Sequence, residues 1–129
     1  MTEPILHPTL ARYFDALCAL DFAAVASCFA ADGLQEDPVG GGVRRGPAEV
    51  HAFLQQIGAA FASIELRPTR VYSCGGEIAL VWEARGRGKN GAEVRFHGID
   101  VVILDVTGEI RSLRAFWDPA PVLAALSAR

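Results

Sequence analysis

The sequence predicts an α+β fold in which helices lie across the concave face of a curved sheet, making a cone with an apolar interior. Three observations predict it. Apolar residues recur at helical spacing as far as about Ala62 and alternate from Ile64 onward, so helices precede a run of strands. The second half carries turn signals at Gly75-Gly76, Lys89-Asn90-Gly91 and Thr107-Gly108-Glu109, as an antiparallel meander requires. Finally, 51% of the residues are hydrophobic, yet no apolar run approaches a membrane span, so the surplus belongs in a core, a pocket or a subunit interface.

Each element follows in order. Pro8 to Leu20 reads as the first helix, with Pro8 in its first turn and Leu10, Tyr13, Phe14 and Leu17 on one face. Asp21 is a good N-cap for a second helix over Phe22 to Ala31, carrying Val25, Ala26 and Phe29. A short strand then leads to Glu36-Asp37-Pro38, where the proline holds Asp37 extended and ends pairing. Gly40-Gly41-Gly42 is a turn and Val43 to Arg45 a short strand. Gly46-Pro47 opens the third helix, Ala48 to about Ala62, with Val50, Phe53, Leu54, Ile57 and Phe61 as its stripe. The strands are Ile64 to Ser73, bent near Pro68; Ile78 to Gly86; Ala92 to Val106; and Ile110 to Trp117. Pro119 and Pro121 stop the sheet ahead of a short terminal helix, Val122 to Ala128.

Length and charge narrow the function. At 129 residues the chain reads as one domain, 1–129. A net charge of -3 and no basic cluster beyond Arg44-Arg45 argue against nucleic acid as a partner. No signal peptide is visible at Met1-Thr2-Glu3-Pro4, and Cys18, Cys28 and Cys74 are odd in number and widely spaced, so a reducing, cytoplasmic setting is expected. His7, His51 and His97 show no ligand spacing with one another or with the cysteines, so no metal is expected.

Three residues can carry chemistry. Asp100 lies within Gly98-Ile99-Asp100-Val101-Val102-Ile103-Leu104, where alternation puts Gly98, Asp100, Val102 and Leu104 on one face. On that face the carboxyl meets an apolar surface and tends to keep its proton. The strand alone leaves two other readings open: an outer position at a subunit interface, or pairing with Arg95 or Arg114. Tyr13 faces inward by periodicity, either as a core tyrosine bonded to backbone or as a donor into a cavity. Glu36-Asp37-Pro38 is either a solvated turn or a device for aiming a carboxylate sideways. A tyrosine hydroxyl and a neutral carboxylic acid aimed at one point make an oxyanion hole, and a less buried, ionised Asp37 is then a base against the substrate. Trp117 either packs the sheet or lines a pocket for a flat apolar ligand; Trp82 and Phe96 are expected in the core.

Over nearly its whole length the chain resembles the bacterial Δ5-3-ketosteroid isomerases, within the wider nuclear transport factor 2-like, cystatin-like fold that includes SnoaL-like proteins. The similarity runs through Ala11-Arg12-Tyr13, Phe29-Ala30-Ala31-Asp32, Glu36-Asp37-Pro38-Val39-Gly40, Arg45-Gly46 and Ala52-Phe53. It continues in Ile99-Asp100-Val101, Gly108-Glu109-Ile110 and Arg114-Ala115-Phe116-Trp117. In those isomerases the residues matching Tyr13, Asp37 and Asp100 are the oxyanion-hole tyrosine, the general base and the protonated oxyanion-hole acid. One departure stands out: where they carry a tyrosine that hydrogen-bonds the catalytic tyrosine, this chain has Leu54. The resemblance implies a steroid Δ-isomerase that needs no cofactor. It also implies a homodimer joined through the open sheet face and a pocket lined by Trp117, Leu113, Phe53 and Val39. A polyketide-type cyclase or dehydratase, and a non-catalytic binding or dimerisation module, are the rivals on the same fold.

Overall fold

The computed structural model describes residues 4–129. Its order is α1 (Pro8–Cys18), α2 (Phe22–Ala26), β1 (Phe29–Glu36), β2 (Val43–Arg45), α3 (Gly46–Gly58), β3 (Phe61–Cys74), β4 (Glu77–Gly88), β5 (Glu93–Leu104), β6 (Ile110–Phe116) and α4 (Ala120–Ser127). The six strands form one sheet in the order β2-β1-β6-β5-β4-β3. All neighbours are antiparallel except β1 and β6, which run parallel. That parallel pair makes the sheet mixed and joins the two halves of the chain.

The helices start where the sequence provides caps. Pro8 occupies the first turn of α1 and the His7 imidazole accepts from the Thr9 N–H at 3.1 Å. Asp21 caps α2 by accepting from the Ala24 N–H at 3.1 Å. The second helix is much shorter than the predicted Phe22–Ala31. It ends at Ala26, and Phe29 already pairs with Ile110 of β6. Both side chains are fully buried, and the Ile110 N–H donates to the Cys28 carbonyl at 2.8 Å, so tertiary pairing overrides the helical propensity of this alanine-rich run.

On the three central strands the buried residues lie on one face: on β5, Val94, Gly98, Asp100 and Val102; on β6, Ile110, Leu113 and Ala115; on β4, Leu80, Trp82, Ala84 and Gly88. Leu10, Tyr13 and Phe14 of α1, Val25 of α2, and Val50 and Leu54 of α3 pack against this face. The Phe22 ring lies directly on Gly58, where an added Cβ would come within 2.2 Å of it, and this contact locks α2 to α3. The helix α4 is a fourth element on the same side, with Val122 and Leu126 against Val94, Phe61, Phe96 and Trp117. The opposite face carries Ile99 beside Phe116 and Val101 beside Arg114, with Ile99 and Phe116 exposed.

Candidate active site

Helices and sheet enclose a cavity of about 90 Å³ with Tyr13, Asp37 and Asp100 all on its wall. The rest of the wall is apolar, and includes Leu54 and Ile57 of α3, Leu66 of β3 and Phe96 of β5.

Each polar group arrives on a different element. Tyr13 is on the inner stripe of α1, 3% exposed, with its ring edge-on to Phe14 and Phe29. Among the described residues no protein group hydrogen-bonds its hydroxyl, and Leu54 offers none. Asp37 follows β1, and the Asp37–Pro38 peptide is cis. Beyond the end of β1 at Glu36 the Val39 N–H donates to the Ala115 carbonyl at 2.8 Å, and Asp37, between the two, lies on the cavity wall. Asp100 is on β5, opposite Ala115 of β6 and Leu80 of β4, and only 4% exposed. The outward and ion-paired readings of Asp100 both fail. Arg114 instead pairs with Glu36 at 3.1 Å, and Arg95 is exposed opposite Arg85.

Two tryptophans hold the two carboxyls. The Trp117 indole N–H donates to Asp37 Oδ1 at 2.6 Å, and the Trp82 indole N–H donates to Asp100 Oδ1 at 3.0 Å. Trp117 stacks on Phe96 with ring centroids 5.3 Å apart, and Trp82 stands edge-on to both, at 5.8 Å from Phe96 and 6.2 Å from Trp117. Gly98 makes this cluster possible. A Cβ there would lie 2.6 Å from the Phe116 carbonyl oxygen, 2.6 Å from Trp82 Cζ2 and 2.9 Å from Trp117 Cβ.

Burial sets the protonation states apart. Desolvation, reinforced by the Asp37 charge, pushes the Asp100 carboxyl well above the usual carboxylate range, against the smaller opposing pull of the Trp82 N–H. Asp37 is also raised by burial, but less, because the Trp117 N–H and the Arg44 charge favour its anion. Burial, and then the nearby carboxylates, raise the Tyr13 hydroxyl well above its ordinary value, so it stays a hydrogen-bond donor. Burial therefore favours the protonated form of Tyr13 and Asp100 more strongly than that of Asp37.

The expected pocket lining needs correction. Trp117 lines the cavity, while Leu113, Phe53 and Val39 do not. Leu113 pairs with Val102, both fully buried, two register pairs along from Asp100 and Ala115 on the same face. Phe53 is covered by the Arg44 guanidinium, 3.3 Å from its ring centroid, and Arg44 also donates to the Gly42 carbonyl at 3.0 Å. Val39 is held at the strand edge by its backbone. Trp82 and Phe96, expected only in the core, line the cavity. The Asn90-Gly91 turn signals the hairpin but not its register; the observed loop, closed by the Gly88 N–H donating to the Ala92 carbonyl at 2.8 Å, pairs Trp82 with Gly98 and Leu80 with Asp100.

Gln35 was missed altogether. It lies on β1 two residues before Asp37, fully buried, and neither its Oε1 nor its Nε2 has a hydrogen-bond partner among the described residues. Among those residues, too, no three His, Cys, Asp or Glu side chains gather as metal ligands, and no helix is long and apolar enough to cross a membrane.

Comparison with known proteins points the same way. The family described as the SnoaL-like domain matches residues 10–118. Over 114 residues the chain is 34% identical to a steroid Δ-isomerase of Nocardioides simplex, covering 88% of this chain and 90% of that protein. Among solved structures it is similar to SalBIII, an epoxide hydrolase/cyclase-like enzyme with a role in pyran ring formation in the polyether salinomycin. That match has 26% identity and a TM-score of 0.74, over 87% of this chain and 89% of the other. A protein from Catenulispora acidiphila with a ketosteroid isomerase-like fold superimposes with a TM-score of 0.81 at 19% identity, over 99% and 96% of the two chains, a likeness of fold alone.

Proposed function

We propose that this chain, which belongs to the SnoaL-like domain family, is an isomerase that moves a carbon–carbon double bond into conjugation with a ketone. The observation that carries the reading is the division of labour in the cavity: Asp37 and Asp100 face one apolar chamber, and their surroundings push Asp100 further towards its neutral form. The relative named steroid Δ-isomerase supports it. In this reading Asp37 removes a proton from the carbon next to the carbonyl. Tyr13 and neutral Asp100 donate hydrogen bonds to the dienolate oxygen as charge develops there. Asp37, now protonated, returns the proton two carbons along the conjugated system. The substrate is flat and apolar with one carbonyl at the carboxyl end of the cavity, as a 3-ketosteroid is. The working form is a homodimer joined through the uncovered sheet face around Ile99, Val101 and Phe116. A cytoplasmic setting belongs to the same reading, since the three cysteines are free.

The test is the absorbance of the conjugated enone formed from a Δ5-3-ketosteroid. Asp37→Asn is expected to lose roughly 10²–10⁴-fold in rate, because the acid–base contribution goes with it. Asp100→Ala is expected to lose about 10²–10³-fold, the usual cost of one oxyanion donor. Unchanged turnover in Asp37→Asn refutes the mechanism. If the native protein shows no turnover, a second reading takes over, a ring-forming enzyme using the same acid and base, which the likeness to SalBIII favours.

A further inference from the structure

We propose that Trp82 is a positioning residue that keeps the acid proton of Asp100 on Oδ2, the oxygen free to face the bound carbonyl. This rests on the oxyanion role proposed for Asp100. An indole N–H can only donate. It donates to Oδ1 at 3.0 Å, with both side chains buried. In a neutral carboxyl the carbonyl oxygen is the better acceptor and the hydroxyl oxygen carries the donor. A bond received by Oδ1 therefore makes Oδ1 the carbonyl oxygen and places the hydrogen on Oδ2. No other protein group bonds either oxygen among the described residues, so Trp82 alone breaks their symmetry.

The indole is held still for this task. It stands edge-on to Phe96 and Trp117, and its Cζ2 lies over the space left by Gly98. On the tyrosine side nothing comparable exists, because Leu54 lies in the wall where the isomerases resembled have a tyrosine. This chain thus orders its donor pair from the acid rather than from the phenol. Trp82 also favours the Asp100 anion, so it gives up some proton retention in exchange for direction.

The test reads the carboxyl directly. Infrared difference spectra between the native protein and Asp100→Asn isolate the carbonyl stretch of protonated Asp100. Trp82→Phe keeps an aromatic ring and removes the N–H; it is expected to move that band to higher wavenumber. It should also weaken calorimetric binding of 2-naphthol about tenfold, the worth of one such hydrogen bond. In an Asp100→Ala background the same change should cost nothing further, which loss of mere packing would not predict. Should Trp82→Phe fail to fold, the native protein labelled with ¹⁵N in its indoles serves, since the chain has only two tryptophans. The Trp82 indole proton should then move upfield in Asp100→Ala and the Trp117 proton should not. An unmoved band, an unmoved resonance, or no protonated carboxyl in the native protein overturns the inference. A band shift in Trp82→Phe together with no naphthol binding by the native protein instead removes the proposed function and leaves the proton placement standing.

Discussion

Gly98→Ala tests whether the two tryptophans hold the site as one unit. The new Cβ would sit 2.6 Å from the Phe116 carbonyl oxygen, 2.6 Å from Trp82 Cζ2 and 2.9 Å from Trp117 Cβ, where ordinary contact begins at 3.4 Å. The carbonyl of β6 and the Cβ of the residue after it can give way only by a backbone shift, while the packed Trp82 ring must be pushed aside as well. It must move by nearly 1 Å. Cζ2 is two bonds from Nε1, so a movement of that size takes the 3.0 Å bond to Asp100 beyond hydrogen-bond reach. Overpacking of this kind costs about 1–3 kcal/mol, and the lost bond about 1 kcal/mol more. With an unfolding entropy of about 2.1 cal/mol/K per residue, a chain of 129 residues loses about 4 °C for each kcal/mol. The expected fall in Tm is therefore about 8–15 °C, read by circular dichroism. The same variant should lose the naphthol affinity that Trp82→Phe loses. Native melting with native affinity would show that strands β5 and β6 part easily here, and would refute the packing argument.

Three further outcomes follow from other residues. Asp100 is raised in the folded chain, so its stabilising proton is fully held below the unfolded aspartate value of about 3.9 and lost as pH climbs through the raised folded value. Asp100→Asn cannot lose that proton, so its urea midpoint should gain on the native protein between pH 5 and pH 8; parallel pH curves would refute the burial argument. Gln35→Met replaces an amide with no protein partner at either end and should raise stability by about 1–3 kcal/mol in urea titration, whereas a loss would mean the amide is satisfied. The homodimer proposed through the uncovered sheet face should sediment as a monomer in Val101→Glu without unfolding; native protein that sediments as a monomer, or a variant that stays dimeric, refutes that contact.

Much of the fold was legible because its signals are local. The change of hydrophobic period at Ile64 and the Asn90-Gly91 turn gave the helices and the meander, and alternation put Asp100 on one face with Val102, while only the packing of the helices makes that face the inner one. What was not legible depends on pairing distant in sequence. The parallel partnership of β1 with β6 turned Phe29 and Ala30 from helix to strand, although their composition suits either. The site was legible as Tyr13, Asp37, Asp100 and Trp117 but without Trp82, because a tryptophan in the middle of a strand looks like core. Only the register of β4 against β5 brings Trp82 diagonal to Asp100. Leu113 misled for a related reason: alternation gives the face of a residue but not its depth along the cone.

The placement of the tryptophans also determines what light can report. The chain has two, and each lies in the cavity wall with its indole N–H on a carboxyl of the site. No indole elsewhere contributes emission, so the whole tryptophan fluorescence of the protein originates within the pocket. The two rings lie 6.2 Å apart and form one aromatic antenna in the cavity wall. A naphthol in the cavity lies within a few ångströms of that antenna and accepts its energy, so occupancy is readable on the unlabelled protein. Titration of either carboxyl changes the field at one indole, so the emission spectrum also follows the protonation of the acid and the base.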